Sequence, residues 1–133
     1  MNLCSLLLVL VLSFLSGNTT TNYTAKGKAS YYADRMHGQR TASGARYDKT
    51  KLTAAHASLP YNTKVLVTNL ANGKTVVVTI NDRMARNRHN IIDLSKAAAK
   101  ELDIIRAGYG SVSITLVDNA TPEQQDTPAA VSE

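Results

Sequence analysis

Val76-Val77-Val78-Thr79-Ile80-Asn81-Asp82-Arg83 is an apolar, β-branched run that stops on an amide, a carboxylate and a guanidinium. β-Branched residues favour extended backbone, so the run reads as a strand whose end delivers three polar groups to the rim of a core, where a polymer can reach them. Asp82 is the chemical centre of that reading. Just upstream, residues 64–70 and 75–80 flank Ala71-Asn72-Gly73-Lys74, and Asn-Gly between two β-branched runs is the strongest local hairpin signal. Just downstream, a basic loop carrying Arg83, Arg86, Arg88 and His89 leads into Ile91-Ile92-Asp93-Leu94-Ser95, a short buried strand interrupted by a carboxylate.

The rest of the chain arranges itself around this pair of segments. Residues 26–33 form a first strand whose end carries Tyr31 and Tyr32. Residues 34–48 form a loop in which Gly38 and Gly44 bracket His37, Arg40, Thr41 and Ser43. Glycines beside basic and hydroxyl groups allow backbone N–H groups and side-chain donors to approach a ligand, although a plain connecting loop has the same composition. Leu52-Thr53-Ala54-Ala55-His56 is a short strand or turn wall with His56 at its end. Ser95 is placed to cap a helix over residues 96–102, and Leu94, Ala98 and Leu102 would share its buried face. Val112, Ile114 and Leu116 alternate with Ser113 and Thr115 in a last strand. About six short strands and one or two short helices make a mainly β chain, a small barrel.

Length and composition limit the alternatives. A chain of 133 residues is one domain. Residues 6–15 are an apolar run of signal-peptide length, too short to span a bilayer, which needs about 20 residues. The expected organisation is a signal peptide over 1–17, a polar linker over 18–25, a folded body over 26–118, and a disordered acidic tail over 119–133. The tail holds almost no large apolar side chain with which to offset its ordering entropy. Export is thus expected, to the cell envelope or beyond. Cys4 is the sole cysteine and precedes the expected cleavage point, so a disulfide framework, a thiolate metal site and a cysteine nucleophile are all set aside for the mature body. All fifteen Lys and Arg lie between Lys26 and Arg106, against six carboxylates in the same stretch. That imbalance favours an anionic partner: nucleic acid, an anionic wall polymer or a membrane surface. Nucleic acid accounts for the charge but not for the export signal.

No histidine pair stands at i, i+4 spacing and no Gly-x-Ser-x-Gly elbow is present, so metal or serine chemistry lacks its usual residues. Carboxylate chemistry remains. Of the carboxylates in the body, only Asp82 and Asp93 end or interrupt hydrophobic strands. A partly desolvated carboxyl group can deliver a proton to a glycosidic oxygen, and one group can serve as acid and then base when a sugar hydroxyl attacks its own anomeric carbon. The competing structural role for Asp82 is pairing with Arg83 or capping a turn. For His56, a hydrogen-bonded structural role competes with a catalytic one.

The ordered motifs Gly27-Lys28-Ala29-Ser30-Tyr31-Tyr32, His37-Gly38-Gln39-Arg40-Thr41-Ala42-Ser43-Gly44, Leu52-Thr53-Ala54-Ala55-His56, Val67-Thr68-Asn69-Leu70, Ile80-Asn81-Asp82-Arg83 and Ile91-Ile92-Asp93-Leu94-Ser95 resemble the RlpA-like (rare lipoprotein A) lytic transglycosylases. The resemblance implies a six-stranded double-psi β-barrel, a groove for peptidoglycan glycan strands, cleavage to 1,6-anhydromuramic ends, and no cofactor. It assigns catalysis to Asp82 with His56 in the same groove. Tyr32, His37, Arg40, Thr41, Ser43, Asn81, Arg83 and Asp93 are the expected substrate-binding residues of a monomer. Three positions depart from the family pattern: Ala45 replaces a usual Glu, Met84-Ala85 a usual Gly-Pro, and Tyr31 a usual Trp. The first of these motivates the alternative, an expansin-like module that binds the wall with weak or no cleavage.

Overall fold

The computed structural model describes residues 23–117. The expected signal peptide, most of the linker and the acidic tail lie outside the described residues. Six strands, β1 (Thr24–Tyr31), β2 (Thr53–His56), β3 (Lys64–Asn69), β4 (Thr75–Arg83), β5 (Asn90–Leu94) and β6 (Gly110–Leu116), close into a barrel in the order β1-β5-β2-β4-β3-β6. One 3-10 turn, Asp34–Met36, follows β1, and one helix, α1 (Lys96–Leu102), follows β5. The expected mainly β barrel with one or two short helices is therefore present, with one α-helix and one 3-10 turn among the described residues.

Alternation along the strands builds the interior. Val65 and Val67 of β3, Val76, Val78 and Ile80 of β4, Ile92 and Leu94 of β5, and Val112 and Ile114 of β6 all face inward and are buried. Ala98 and Leu102 of α1 join this core as the spacing of four predicts, and the Ser95 hydroxyl accepts from the Ala98 N–H to cap the helix. Leu116 departs from its expected inward place: it is 37 % exposed. It is the last residue of β6 and stands opposite the buried Val65, with part of its side chain left open to solvent at the strand's end. β1 also begins earlier than the residue pattern suggests, at Thr24, and the flanking Tyr23 and Ala25 pack on the core.

The β3–β4 hairpin forms at the expected Asn-Gly, with Gly73 at φ 78°, where only glycine is unstrained. Asn69, 4 % exposed, locks this hairpin to the helix: its Nδ2 donates to the Leu102 carbonyl at 2.8 Å and its Oδ1 accepts from the Ala71 N–H at 2.9 Å.

Two parallel pairs, β1–β5 and β2–β4, each contain a one-residue register step. Lys28 pairs with Asn90 but Ala29 pairs with Ile92, and Ala54 pairs with Ile80 but Ala55 pairs with Asp82. The skipped residues, Ile91 and Asn81, are β-bulges. At the first step the chains crowd: a Cβ on Gly27 would stand 2.7 Å from Ile91 Cγ2 and 3.2 Å from the His89 carbonyl. At the second step, β4 does not end at Ile80 as the polar residues suggest; it bends and continues to Arg83.

Replacing Asn69 with Ala removes one buried donor and leaves the Ala71 N–H without its acceptor, so the variant is expected to unfold with a loss of about 1–3 kcal/mol in urea denaturation. Asn69→Asp keeps the acceptor but buries a carboxylate against the Leu102 carbonyl, so it should cost at least as much as Asn69→Ala.

Candidate active site

The bulge at Asn81 decides where Asp82 points. Strict alternation from the buried Ile80 would turn Asp82 into the core, where an ionised carboxylate is costly. The extra residue re-aims it, so that Asp82 stands opposite Ala55 instead. Ala55 in turn pairs with Asp93 on β5, and Asp93 with Ser30 on β1. Residues directly opposite one another on paired strands share a face. Ser30, Asp93, Ala55 and Asp82 therefore form one row across four adjacent strands. Strand spacing puts the backbones of the two aspartates about 10 Å apart, with only a methyl side chain between them.

Asp82 is half-buried and its carboxylate is held entirely by donors. Oδ2 accepts from the Tyr32 hydroxyl at 2.5 Å, and Oδ1 accepts from the backbone N–H of Ala42 and of Arg83, both at 2.8 Å. Burial, followed by the hydrogen bond and charge of Asp82, pushes the Tyr32 hydroxyl well above its ordinary pKa, so it stays a proton donor to the carboxylate. Tyr32 is itself fixed by stacking on Tyr47, with ring centroids 4.3 Å apart and planes at 16°. Tyr47 is buried, and its hydroxyl accepts from the Lys96 N–H at 3.0 Å.

Arg83 does not pair with Asp82. Its guanidinium donates to the carbonyls of His56 at 3.0 Å and Leu59 at 2.7 Å, and lies over the Tyr61 ring, 4.4 Å from its centroid. The ion pair that competed with a chemical role for Asp82 is thus absent. His56, 4 % exposed, accepts at Nδ1 from the N–H groups of Ser58 and Leu59, both at 3.0 Å. An imidazole with Nδ1 so occupied keeps its proton on Nε2. Burial, then the positive charges of Arg83 and Arg86, lower its pKa and keep the ring neutral. His56 and Arg83 together clamp the turn after β2 against the end of β4.

The loop after β1 closes over the row through its backbone. Arg40 and Arg46 form a bridge, Thr41 Oγ1 donates to the Ala45 carbonyl at 2.6 Å, and Thr41 and Ser43 hydroxyls lie 2.9 Å apart. Arg40 donates to the Gly44 carbonyl, and His37 Nδ1 accepts from the Lys49 N–H at 3.1 Å. Arg40, Ser43 and His37 are exposed, whereas Thr41 is buried. In this arrangement Thr41 and Ser43 shape the turn that presents the Ala42 N–H to Asp82. Ala45 is exposed in the same loop, so no carboxylate stands at that position. On the far side of the row, Asp93 is hydrogen-bonded by the Ser30 hydroxyl, which also accepts from Asn90 Nδ2 at 2.8 Å. Asn81, at the bulge, is half-buried.

Asp82, Tyr32, Thr41, Ser43, Arg83 and His56 are thus brought together around the end of β4, with Asp93 two strands away and His37 on the loop's outer side. Sequence reasoning placed Tyr32 among the substrate-binding residues and missed that it holds the carboxylate. It also missed Tyr47 and the Ala42 N–H. A tyrosine set alone in a polar loop signals that the loop is anchored to the body, but a backbone donor leaves no trace in side-chain pattern. Among the described residues, no group of three or more His, Cys, Asp or Glu could hold a metal ion.

The clamp at His56 has a pH signature. A histidine whose pKa is lowered on folding contributes stability that is complete above its unfolded pKa of about 6.5 and is lost as pH falls from there towards the folded value. The free energy of unfolding should therefore drop between pH 7 and pH 5, and His56→Asn, whose side chain offers an acceptor without titrating, should flatten that slope in urea titrations.

A model of the lytic transglycolase family matches residues 24–114. The endolytic peptidoglycan transglycosylase RlpA of Haemophilus influenzae is 48 % identical over 99 residues, which cover 74 % of this chain and 34 % of that protein. The probable endolytic peptidoglycan transglycosylase RlpA of Treponema pallidum is 50 % identical over 101 residues, covering 75 % and 32 % respectively. The chain thus spans about a third of the length of the curated relatives it matches. A Clavibacter michiganensis expansin in complex with cellohexaose superposes with a TM-score of 0.59 at 21 % identity, covering 73 % of this chain and 52 % of that one, a likeness of fold. The family match runs from the first strand of the barrel into its last and includes Tyr32, Ala42, Asp82 and Asp93, and the chain belongs to the lytic transglycolase family.

Proposed function

We propose that this protein is a lytic transglycosylase that cleaves peptidoglycan glycan strands to 1,6-anhydromuramic ends, with Asp82 as acid and then base. The observation that carries the reading is the setting of Asp82: re-aimed out of the core by a bulge, free of any cationic partner among the described residues, and surrounded by donors alone. The names of the relatives point to the same substrate.

In the first half-reaction the Asp82 carboxyl proton passes to the glycosidic oxygen as the bond to the anomeric carbon breaks. The Tyr32 hydroxyl and the N–H groups of Ala42 and Arg83 are in place to stabilise the carboxylate left behind, and being fixed by the fold they need no reorganisation at that moment. In the second, the C6 hydroxyl of the muramyl sugar bonds to the anomeric carbon and its proton returns to Asp82. No water is consumed and the carboxyl group ends as it began. His56, Asn81 and Arg83 act by positioning the end of β4, and His37, Arg40, Thr41, Ser43 and Asp93 flank the strand's path. We read the apolar run at residues 6–15 as the export signal that delivers a monomeric body to the envelope. Among the described residues, no helix is long and apolar enough to cross a membrane.

The second reading, a wall-binding module that retains the site's shape without turnover, is favoured by the exposed Ala45, where the resemblance implies a glutamate. Incubation with purified glycan strands separates the two. The enzyme releases anhydromuramic products seen by mass spectrometry, whereas the binding module sediments with insoluble peptidoglycan and releases none.

Asp82→Asn is expected to lower product release by about 10²–10⁴, the range of a lost general acid–base group; release equal to the parent's would overturn the assignment. Tyr32→Phe keeps the stack on Tyr47 and removes one donor, so kcat should fall by about 10–10³ with KM little changed in steady-state digests of soluble strands.

A further inference from the structure

Asp82 takes two of its three donors from the segment that follows β1: the Tyr32 hydroxyl at the start of that segment and the Ala42 N–H at its tip. Both lead back to one residue that does not bond Asp82. Ala42 lies in a hairpin turn closed by the Thr41 N–H, which donates to the Ala45 carbonyl at 2.7 Å, and by the Arg40–Arg46 bridge. At the base of that hairpin the Tyr47 N–H donates to the Gln39 carbonyl at 2.7 Å, and the Tyr47 carbonyl accepts from the Gly38 N–H at 2.8 Å. The Tyr47 ring, in turn, is the surface on which Tyr32 stacks, with centroids 4.3 Å apart. Tyr47 thus holds one donor through its ring and the other through its backbone.

The position of Tyr47 is itself settled by α1. The first N–H groups of a helix have no partner within it and must be met from outside. Here the Lys96 N–H donates to the Tyr47 hydroxyl at 3.0 Å, the Ala97 N–H to the Lys49 carbonyl at 3.0 Å, and the Ala98 N–H to Ser95 Oγ at 3.2 Å. Two of these three donors are therefore met by the segment that ends in Tyr47, Asp48 and Lys49, and moving that segment away would leave them orphaned. The His37 ring meets Tyr47 edge-on, 6.5 Å between centroids, and its Nδ1 accepts from the Lys49 N–H at 3.1 Å, which ties the start of the hairpin to the same anchor. Tyr47 is 3 % exposed, so its ring has little room to shift.

We propose that Tyr47 is a positioning residue of the reaction, setting the Tyr32 hydroxyl and the Ala42 N–H on Asp82 together, so that the surroundings of the acid are built outward from α1. The inference rests on the role given to Asp82 above. Donors aimed at a carboxylate act on the charge that appears there as its proton leaves, so misplacing them slows the chemical step without weakening the hold on the strand. The third donor, the Arg83 N–H, belongs to β4 and does not pass through Tyr47, so the loss is partial. Tyr47→Phe keeps the ring and gives up the tie to α1, whereas Tyr47→Leu gives up both.

Two measurements on the full chain test this. In the first, the Tyr32 ring and the Ala42 and Arg83 amide resonances are compared by NMR in the parent and in both Tyr47 variants, with no substrate present. Tyr32 and Ala42 should move together, further in Tyr47→Leu than in Tyr47→Phe, while Arg83 holds its place; Tyr32 and Ala42 moving no more than Arg83 overturns the proposal. In the second, steady-state digests of soluble strands should show kcat lower by about two- to tenfold in Tyr47→Phe and about 10–10²-fold in Tyr47→Leu, with KM little changed in either. Because part of the effect passes through Tyr32, Tyr47→Leu should cost less in a Tyr32→Phe background than it does alone. An unchanged kcat, a loss carried by KM, or the same factor in both backgrounds overturns the proposal. If the leucine variant does not fold, Tyr47→Phe alone decides both measurements. Coupled shifts of Tyr32 and Ala42 in a protein whose parent releases no product would remove the proposed activity and keep the positioning; product release with neither shift nor loss of kcat would do the reverse.

Discussion

The site depends on a conflict between strand periodicity and the cost of burying charge. β4 supplies Val76, Val78 and Ile80 to the interior, and the next residue in that series is Asp82. Continuing the ladder unbroken would turn a carboxylate into a dry barrel, at a cost of several kcal/mol. One additional residue in the pairing with β2 resolves this and creates the row that runs through Ala55 to Asp93 and Ser30. The same one-residue step in the other parallel pair places Asn90 and Asp93 beside Ser30 and gives the barrel its internal near-repeat.

Around that re-aimed carboxylate the chain has placed neutral and backbone donors instead of cations. Arg83, the obvious partner by adjacency, spends its guanidinium on two carbonyls and an aromatic face. This keeps a strong charge away from the acid while using the arginine to stiffen the turn beneath it. The carboxylate is met by fixed dipoles rather than by a formal charge. The loop over residues 37–47 is folded largely by its own backbone and hydroxyl groups, and its contribution to the acid is a main-chain N–H.

Much of this was legible in the residues. The Asn-Gly hairpin, the Ser95 cap, and the inward places of Val112 and Ile114 in β6 all follow from local patterns with direct physical meaning. What the pattern could not show was the register of the parallel pairs. A bulge is a relation between two strands far apart in the chain, and Asn81 looked like the end of a strand because the change from Ile to Asn, Asp and Arg imitates one. The bond from Tyr32 to Asp82 is hidden for the same reason: the two residues stand 50 apart in the chain. Leu116 shows the opposite error: the alternation continues to the end of β6, where the side chain is left partly exposed. The motif order carried the family assignment more firmly than periodicity carried any single side chain's role.

The order of strands around the barrel also has a temporal meaning. β1 is flanked by β5 and β6, and β2 by β5 and β4, so every neighbour of the first two strands is made later than residue 74. The N-terminal half therefore has nothing to pair with while it is being synthesised, and the ring can close only when Thr24 meets Thr115. A topology dominated by such distant pairings folds slowly and late. Only the β3–β4 hairpin can form locally; the barrel itself cannot close until almost all of the chain exists.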